Sequence, residues 1–172
     1  MTVIRTAQLA DAPGIARVHV AAWRSTYAGL LPDTHLTGLS VERHAARHRH
    51  VIARGSGTLV AEVDGEVVGF CSIGLPRRTG LAEAEIETLY ILDDWQNQGI
   101  GRHLMQSAAD ELARRRCRSL FLWVLTENPS RWFYARLRGK AAAESEVWVA
   151  GQCFRQTAYV WDPISLLTEP AA

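Results

Sequence analysis

Lysine is nearly missing from this chain: Lys140 is the only one, and arginine carries the rest of the positive charge. Acidic residues balance it to a net charge of +1, which leaves no electrostatic case for nucleic acid. The arginine bias reads as genome composition, not function. Cysteine is scarce as well. Cys71, Cys117 and Cys153 are far apart, odd in number and form no CxxC, which argues against a disulfide framework or a cysteine zinc site. A reducing, cytoplasmic setting fits that usage. No apolar run approaches the roughly 20 residues of a membrane-spanning helix, so no membrane association is expected. The first eight residues lack the charged segment and apolar stretch of a secretory signal. Internal repeats, low-complexity segments, a GxxxxGK phosphate loop and an HExxH zinc motif are all missing.

What remains is an ordinary globular composition, 48% hydrophobic and 22% charged over 172 residues. That length fits one domain, expected over residues 1–167, with a short tail over 168–172.

The stretch 85–102 organises the chain. Residues 85–92 alternate, with Glu85, Glu87, Leu89 and Ile91 on one face and Ile86, Thr88, Tyr90 and Leu92 on the other, so a strand is expected. Asp93 and Asp94 break it. Gln96, Asn97, Gln98, Gly99, Ile100 and Gly101 then open a helix, whose apolar stripe runs Ile100, Leu104, Ala108 and Leu112. The first turn of a helix offers unpaired N–H groups and partial positive charge, and glycine leaves them uncovered for a phosphate. Gly99 and Gly101 serve equally well for a tight turn and close helix–sheet packing. The pattern is neither a Walker loop nor a dinucleotide fingerprint, because the lysine and the third glycine are missing.

In chain order the pattern predicts a strand over 3–7 and a helix after Asp11, with Asp11 as N-cap and Pro13 in the first turn. Residues 23–32 read as a loop in which Trp23 and Tyr27 line a pocket or form a lid over the core. A helical region follows from Pro32 to about Arg54. Within it His44 and His48 stand i, i+4, a spacing that can bind a metal. Without HExxH or an acidic ligand, and with arginines around them, they read as a solvated basic face, and no metal is expected. Asp64 and Gly65 predict a hairpin between strands 58–63 and 66–73, and residues 74–80 a turn containing Pro76, Arg77 and Arg78. The apolar run 119–125 reads as a buried strand parallel to 85–92, joined by a right-handed crossover. Asn128 and Pro129 cap a helix ending at Gly139, and strands 146–150 and 154–161 close the order. The class is α/β with a mixed sheet.

That order and three segments resemble the GNAT superfamily of N-acetyltransferases. Gln96, Gly99 and Gly101 fill its phosphate-binding motif. Asn128 with Phe133, Tyr134, Ala135, Arg136 and Leu137 resembles its tyrosine helix, and residues 23–32 resemble an N-terminal segment of one bacterial branch. The chain departs from the pattern after Leu137, where many relatives carry glycine and an aromatic residue; here Arg138, Gly139 and Lys140 follow.

The resemblance implies a GNAT-type fold, a mixed central sheet flanked by helices. It implies acetyl-CoA as donor and a small-molecule or peptide primary amine as acceptor, with direct attack in a ternary complex and no metal. It places backbone groups of Leu89, Tyr90 and Ile91 on the pantetheine arm, residues Gln96 to Arg102 on the pyrophosphate, and Asn128 on pantetheine. It makes Tyr134 the acid that protonates departing thiolate; on residue type alone Tyr134 is a core tyrosine. Glu87, then Glu85, are candidate bases for the amine proton, against a reading as solvated edge carboxylates. Trp23 and Tyr27 would pack the acceptor. A homodimer is common in the family. Two other readings are a non-catalytic acyl-CoA-binding or regulatory module of the same fold, which would lose acid and base, and a nucleotide-phosphate protein, which the missing Walker lysine disfavours.

Overall fold

A computed structural model of the protein describes residues 1–55, 57–76 and 80–169. Among the described residues seven strands form one mixed sheet: β1 (Thr2–Thr6), β2 (Gly57–Val63), β3 (Glu66–Gly74), β4 (Ala84–Ile91), β5 (Leu120–Leu125), β6 (Lys140–Val149) and β7 (Gln152–Trp161). Their order across the sheet is β1-β2-β3-β4-β5-β7-β6. The helices are α1 (Ala12–Thr26), α2 (Asp33–Thr37), α3 (Val41–Ala53), α4 (Ile100–Arg114) and α5 (Arg131–Arg136). None among the described residues is long and apolar enough to cross a membrane.

The chain divides into two compact units, Met1–Ser72 with Thr88–Leu104, and Ile73–Glu87 with Met105–Ala172. In the first, Ala7, Ile15, Val18, Val60, Val67 and Phe70 form the core, with Ile52, Tyr90 and Leu92 packed on it. β1 runs antiparallel to β2 from Thr2↔Val63 to Thr6↔Leu59. Asp64 at φ 50° and Gly65 at φ 84° make the turn of the expected β2–β3 hairpin. In the second unit β5 pairs antiparallel with β7, and β7 with β6. The α4 stripe behaves as its period requires: Ile100, Leu104, Met105, Ala108, Ala109 and Leu112 are all buried.

Several boundaries differ from expectation. Asp11 precedes α1, but its carboxylate does not cap that helix; it takes Gln8 N–H at 2.7 Å and the Arg5 guanidinium at 2.7 and 2.8 Å. α1 runs on through Trp23 to Thr26, so Trp23 is helical and Tyr27 is its C-cap. The helical region expected from Pro32 to about Arg54 is broken at Gly38, and Ser40 caps α3 by accepting from Arg43 N–H at 3.2 Å. β6 starts at Lys140, six residues before the expected strand. Asn128 opens the turn before α5, its Oδ1 accepting from Ser130 N–H at 2.9 Å. Arg138, not Gly139, takes the left-handed conformation after α5, at φ 69°. Arg77 and Arg78 of the expected turn, and residues 170–172 of the expected tail, lie outside the described residues.

Candidate active site

The glycine loop is built within the first unit. β4 ends at Ile91, a single 3-10 turn covers Asp93–Trp95, and α4 begins at Ile100 rather than at Gln96. Asn97 (φ 59°) and Gly99 (φ 83°) both turn the backbone left-handed. At Gly99 the turn and the open space together matter: a Cβ there would meet nothing within 4 Å, so only the backbone angle demands glycine. The first pairing of the helix ladder is His103 N–H to Gly99 C=O at 3.0 Å, so the N–H groups of Ile100, Gly101 and Arg102 precede it. No acidic residue stands in the first turn of α4 to compete for them.

The side chains around this turn brace it. Gln96 Nε2 donates to Asp93 Oδ1 at 3.0 Å and to Ile91 C=O at 3.4 Å, and Gln98 Nε2 to Asp94 C=O at 2.9 Å. Asp93 also accepts from Ser25 Oγ at 2.5 Å, which ties the loop to the last turn of α1. The sequence marks Asp93 only as a strand breaker. Its anchoring role depends on Ser25, 68 positions away, and has no local signal.

β4 carries the other candidates. Its parallel register with β5 covers Ala84↔Leu120, Glu85↔Phe121 and Ile86↔Leu122, while β4 itself continues to Ile91. Leu89, Tyr90 and Ile91 thus lie beyond the register that β4 shares with β5. On the β3 side the chain just after β4 stays bound, with Leu92 N–H donating to Val68 C=O at 2.9 Å. The two glutamates on one face differ sharply. Glu85 is 1% exposed, whereas Glu87 faces solvent. The Glu87 carboxylate lies against Gly74 at the end of β3.

In the second unit Tyr134 is buried on α5, its ring 6.1 Å from Tyr159 and 6.3 Å from Trp161 by centroid. Trp161 is fully buried and its indole N–H donates to Leu137 C=O at 2.8 Å, which holds the end of α5. Asn128 is buried, its Oδ1 on Ser130 N–H.

In the first unit Trp23 and Tyr27 meet edge to face at 4.9 Å. Trp23 Nε1 is buried with no hydrogen-bond partner among the described residues. The basic face expected at His44 and His48 is not solvated. His48 is 7% exposed, and His19 of α1 joins both, with Nδ1 3.1 Å from His48 Nε2. Burial is the first cause that pushes His48 down to about 4 and His19 to about 3, followed by the neighbouring imidazoles and Arg47; His44 is lowered too, again chiefly by burial. The sequence signal that could have found His19 is its place four residues before Trp23 on one face of α1.

The acetyltransferase (GNAT) family matches over residues 20–139, and the chain belongs to that family. An uncharacterized N-acetyltransferase of Bacillus subtilis, YuaI, is 32% identical over 97% of this chain and 96% of its own length. Among solved structures, PaiA N-acetyltransferase from Thermoplasma acidophilum in complex with coenzyme A superposes with a TM-score of 0.75 at 20% identity, covering 91% of this chain and 98% of the other. YncA from Salmonella typhimurium, a putative acetyltransferase with acetyl-CoA, gives 0.72 at 23% identity over 100% and 97%. These likenesses establish the fold.

Proposed function

We propose that the chain transfers an acetyl group from acetyl-CoA to a primary amine of a small molecule or peptide, by direct attack in a ternary complex. The observation that carries this reading is the start of α4 in a chain of this family: N–H groups of Ile100, Gly101 and Arg102 ahead of the first ladder bond, a left-handed Gly99 and no acidic side chain in the first turn. The coenzyme A and acetyl-CoA complexes of PaiA and YncA support the same donor.

The loop amides from Asn97 to Arg102 hold the pyrophosphate, with Gln96 bracing the loop from below. Backbone groups at Leu89, Tyr90 and Ile91, beyond the register that β4 shares with β5, bind pantetheine, and a β4 N–H polarises the thioester carbonyl. Asn128 contacts the same arm. An alkyl ammonium, with a pKa near about 10, must lose a proton before it attacks. Glu87, which faces solvent, takes that proton directly or through water; Glu85 is the second candidate. The amine nitrogen bonds the thioester carbon, the C–S bond then breaks, and Tyr134 O–H gives its proton to the departing thiolate. Trp23 and Tyr27 pack the acceptor. Cys71 does not enter the chemistry: it is fully buried and its thiol is pushed up to about 12 by burial.

The test is amine-dependent release of free CoA thiol across polyamines, amino acids, aminoglycosides and peptide N-termini, with the acetylated product identified by mass. Release with no amine dependence, or none at all from a chain that binds acetyl-CoA, would replace the enzyme with an acyl-CoA-binding module.

A further inference from the structure

His19, His44 and His48 come from two helices and converge in the first unit. His44 and His48 are one turn apart on α3, and His19 faces them from α1. Each offers one ring nitrogen, and the three nitrogens lie within 4.8 Å of one another. His19 Nδ1 and His48 Nε2 are 3.1 Å apart. Two nitrogens on a tetrahedral zinc stand about 3.3 Å apart, given bonds of about 2.0–2.1 Å. One pair is therefore at coordination spacing already, and the third nitrogen lies within 4.8 Å of both.

The set also leaves a group unsatisfied. The His19–His48 hydrogen bond uses one nitrogen from each ring. His44 Nδ1 is buried and has no hydrogen-bond partner among the described residues. A buried nitrogen without a partner is unfavourable, and a metal bond would satisfy it. Ring packing holds the ligands in place around it: His48 meets Phe70 edge-on at 5.3 Å, and His19 stacks on Tyr90 at 5.4 Å.

We propose that His19, His44 and His48 form a three-histidine site for a divalent transition metal of the zinc type, which clips α1 to α3. Three neutral imidazoles without a carboxylate or thiolate select zinc, cobalt, nickel or copper over magnesium or calcium. Each ring presents a bare nitrogen to the metal and keeps its single N–H on the other, so the His19–His48 hydrogen bond is exchanged for two metal bonds. Water completes the fourth position. Arg47 acts on all three rings and opposes a cation, which sets the affinity below that of a charged-ligand site. Its test is independent of the acetyl-transfer reading.

Zinc is titrated calorimetrically into the tag-free, metal-stripped full chain, and cobalt is followed by visible absorption. The variants are His44→Gln, His48→Gln and Cys153→Ser, the last because Cys153 is an exposed thiol able to bind metal by itself. The site predicts one zinc per chain and a rise in melting temperature with zinc. It also predicts a cobalt spectrum of nitrogen ligation without a thiolate charge-transfer band. Both histidine variants lose binding and Cys153→Ser keeps it. His44 is only half-buried, so His44→Gln keeps the test valid if His48→Gln fails to fold. No stoichiometric binding by the wild type, or binding kept in a folded His44→Gln and lost in Cys153→Ser, overturns the site.

Discussion

The Glu87 carboxylate occupies the space that a side chain at Gly74 would need: a Cβ on residue 74 would stand 2.8 Å from Glu87 Oε1. The last residue of β3 thereby fixes where the proposed base can sit. Because the clash is with the far end of a flexible side chain, Gly74→Ala moves the carboxylate and spares the fold. Glu87→Gln is expected to lower turnover roughly 10²-fold. Gly74→Ala lowers it less, and the double variant is no worse than Glu87→Gln alone. Steady-state kinetics on the three variants decides; unchanged turnover in Glu87→Gln removes it from the chemistry.

Tyr134→Phe separates catalysis from binding. It deletes one hydroxyl and leaves the ring against Tyr159 and Trp161. Turnover should fall roughly 10²-fold or more while acetyl-CoA affinity stays the same. A variant that turns over like the wild type would return Tyr134 to the core.

The acid limb of stability is expected to depend on Asp11. Hydrogen bonds from Arg5 hold its carboxyl below the usual carboxylate range, against a partly opposing effect of burial. The folded state thus binds the Asp11 proton more weakly than the unfolded chain, whose value is about 3.9. The stabilisation is complete above about pH 4 and is lost as pH falls through the folded value. Asp11→Asn should cost about 1.5–3 kcal/mol at neutral pH and flatten the acid dependence below about pH 4. Urea unfolding across pH measures both.

Arg138 occupies a left-handed position, φ 69°, where a side chain is strained. Arg138→Gly should stabilise by about 0.5–1 kcal/mol, the strain relieved outweighing the added freedom of the unfolded chain. Its ion pair with Glu169, 3.9 Å apart and exposed at both ends, adds little to the balance. A lower melting temperature in the glycine variant would contradict this.

Local signals were legible and distant ones were not. The α4 stripe, the Asp64–Gly65 turn and the crossover between β4 and β5 follow from periodicity and turn chemistry, and the structure has all three. The first half of β6 reads poorly because Ala141, Ala142, Ala143, Glu144 and Ser145 have weak strand preference; pairing with β7 makes the strand. α1 extends through Trp23 because nothing in Trp23 to Thr26 breaks a helix, although the aromatic and polar mixture looks like a loop. His44 and His48 read as solvated because their partner His19 is 25 residues upstream of the nearer one and arrives only by packing of α1 on α3. Glu85 and Glu87 share a face by alternation, yet one is buried and the other exposed, a difference no period contains.

The central claim is that the start of α4 holds the pyrophosphate of acetyl-CoA. Calorimetric titration of acetyl-CoA into the wild type, Gly99→Ala and Gly99→Glu tests it most directly. Both substitutions carry the same cost of a side chain at φ 83°, but only glutamate adds a negative charge at the bare amides. The account predicts one acetyl-CoA per wild-type chain, retained by the alanine variant and abolished by the glutamate variant. A folded wild type that does not bind acetyl-CoA, or a glutamate variant that binds it as well as the wild type, would contradict the account.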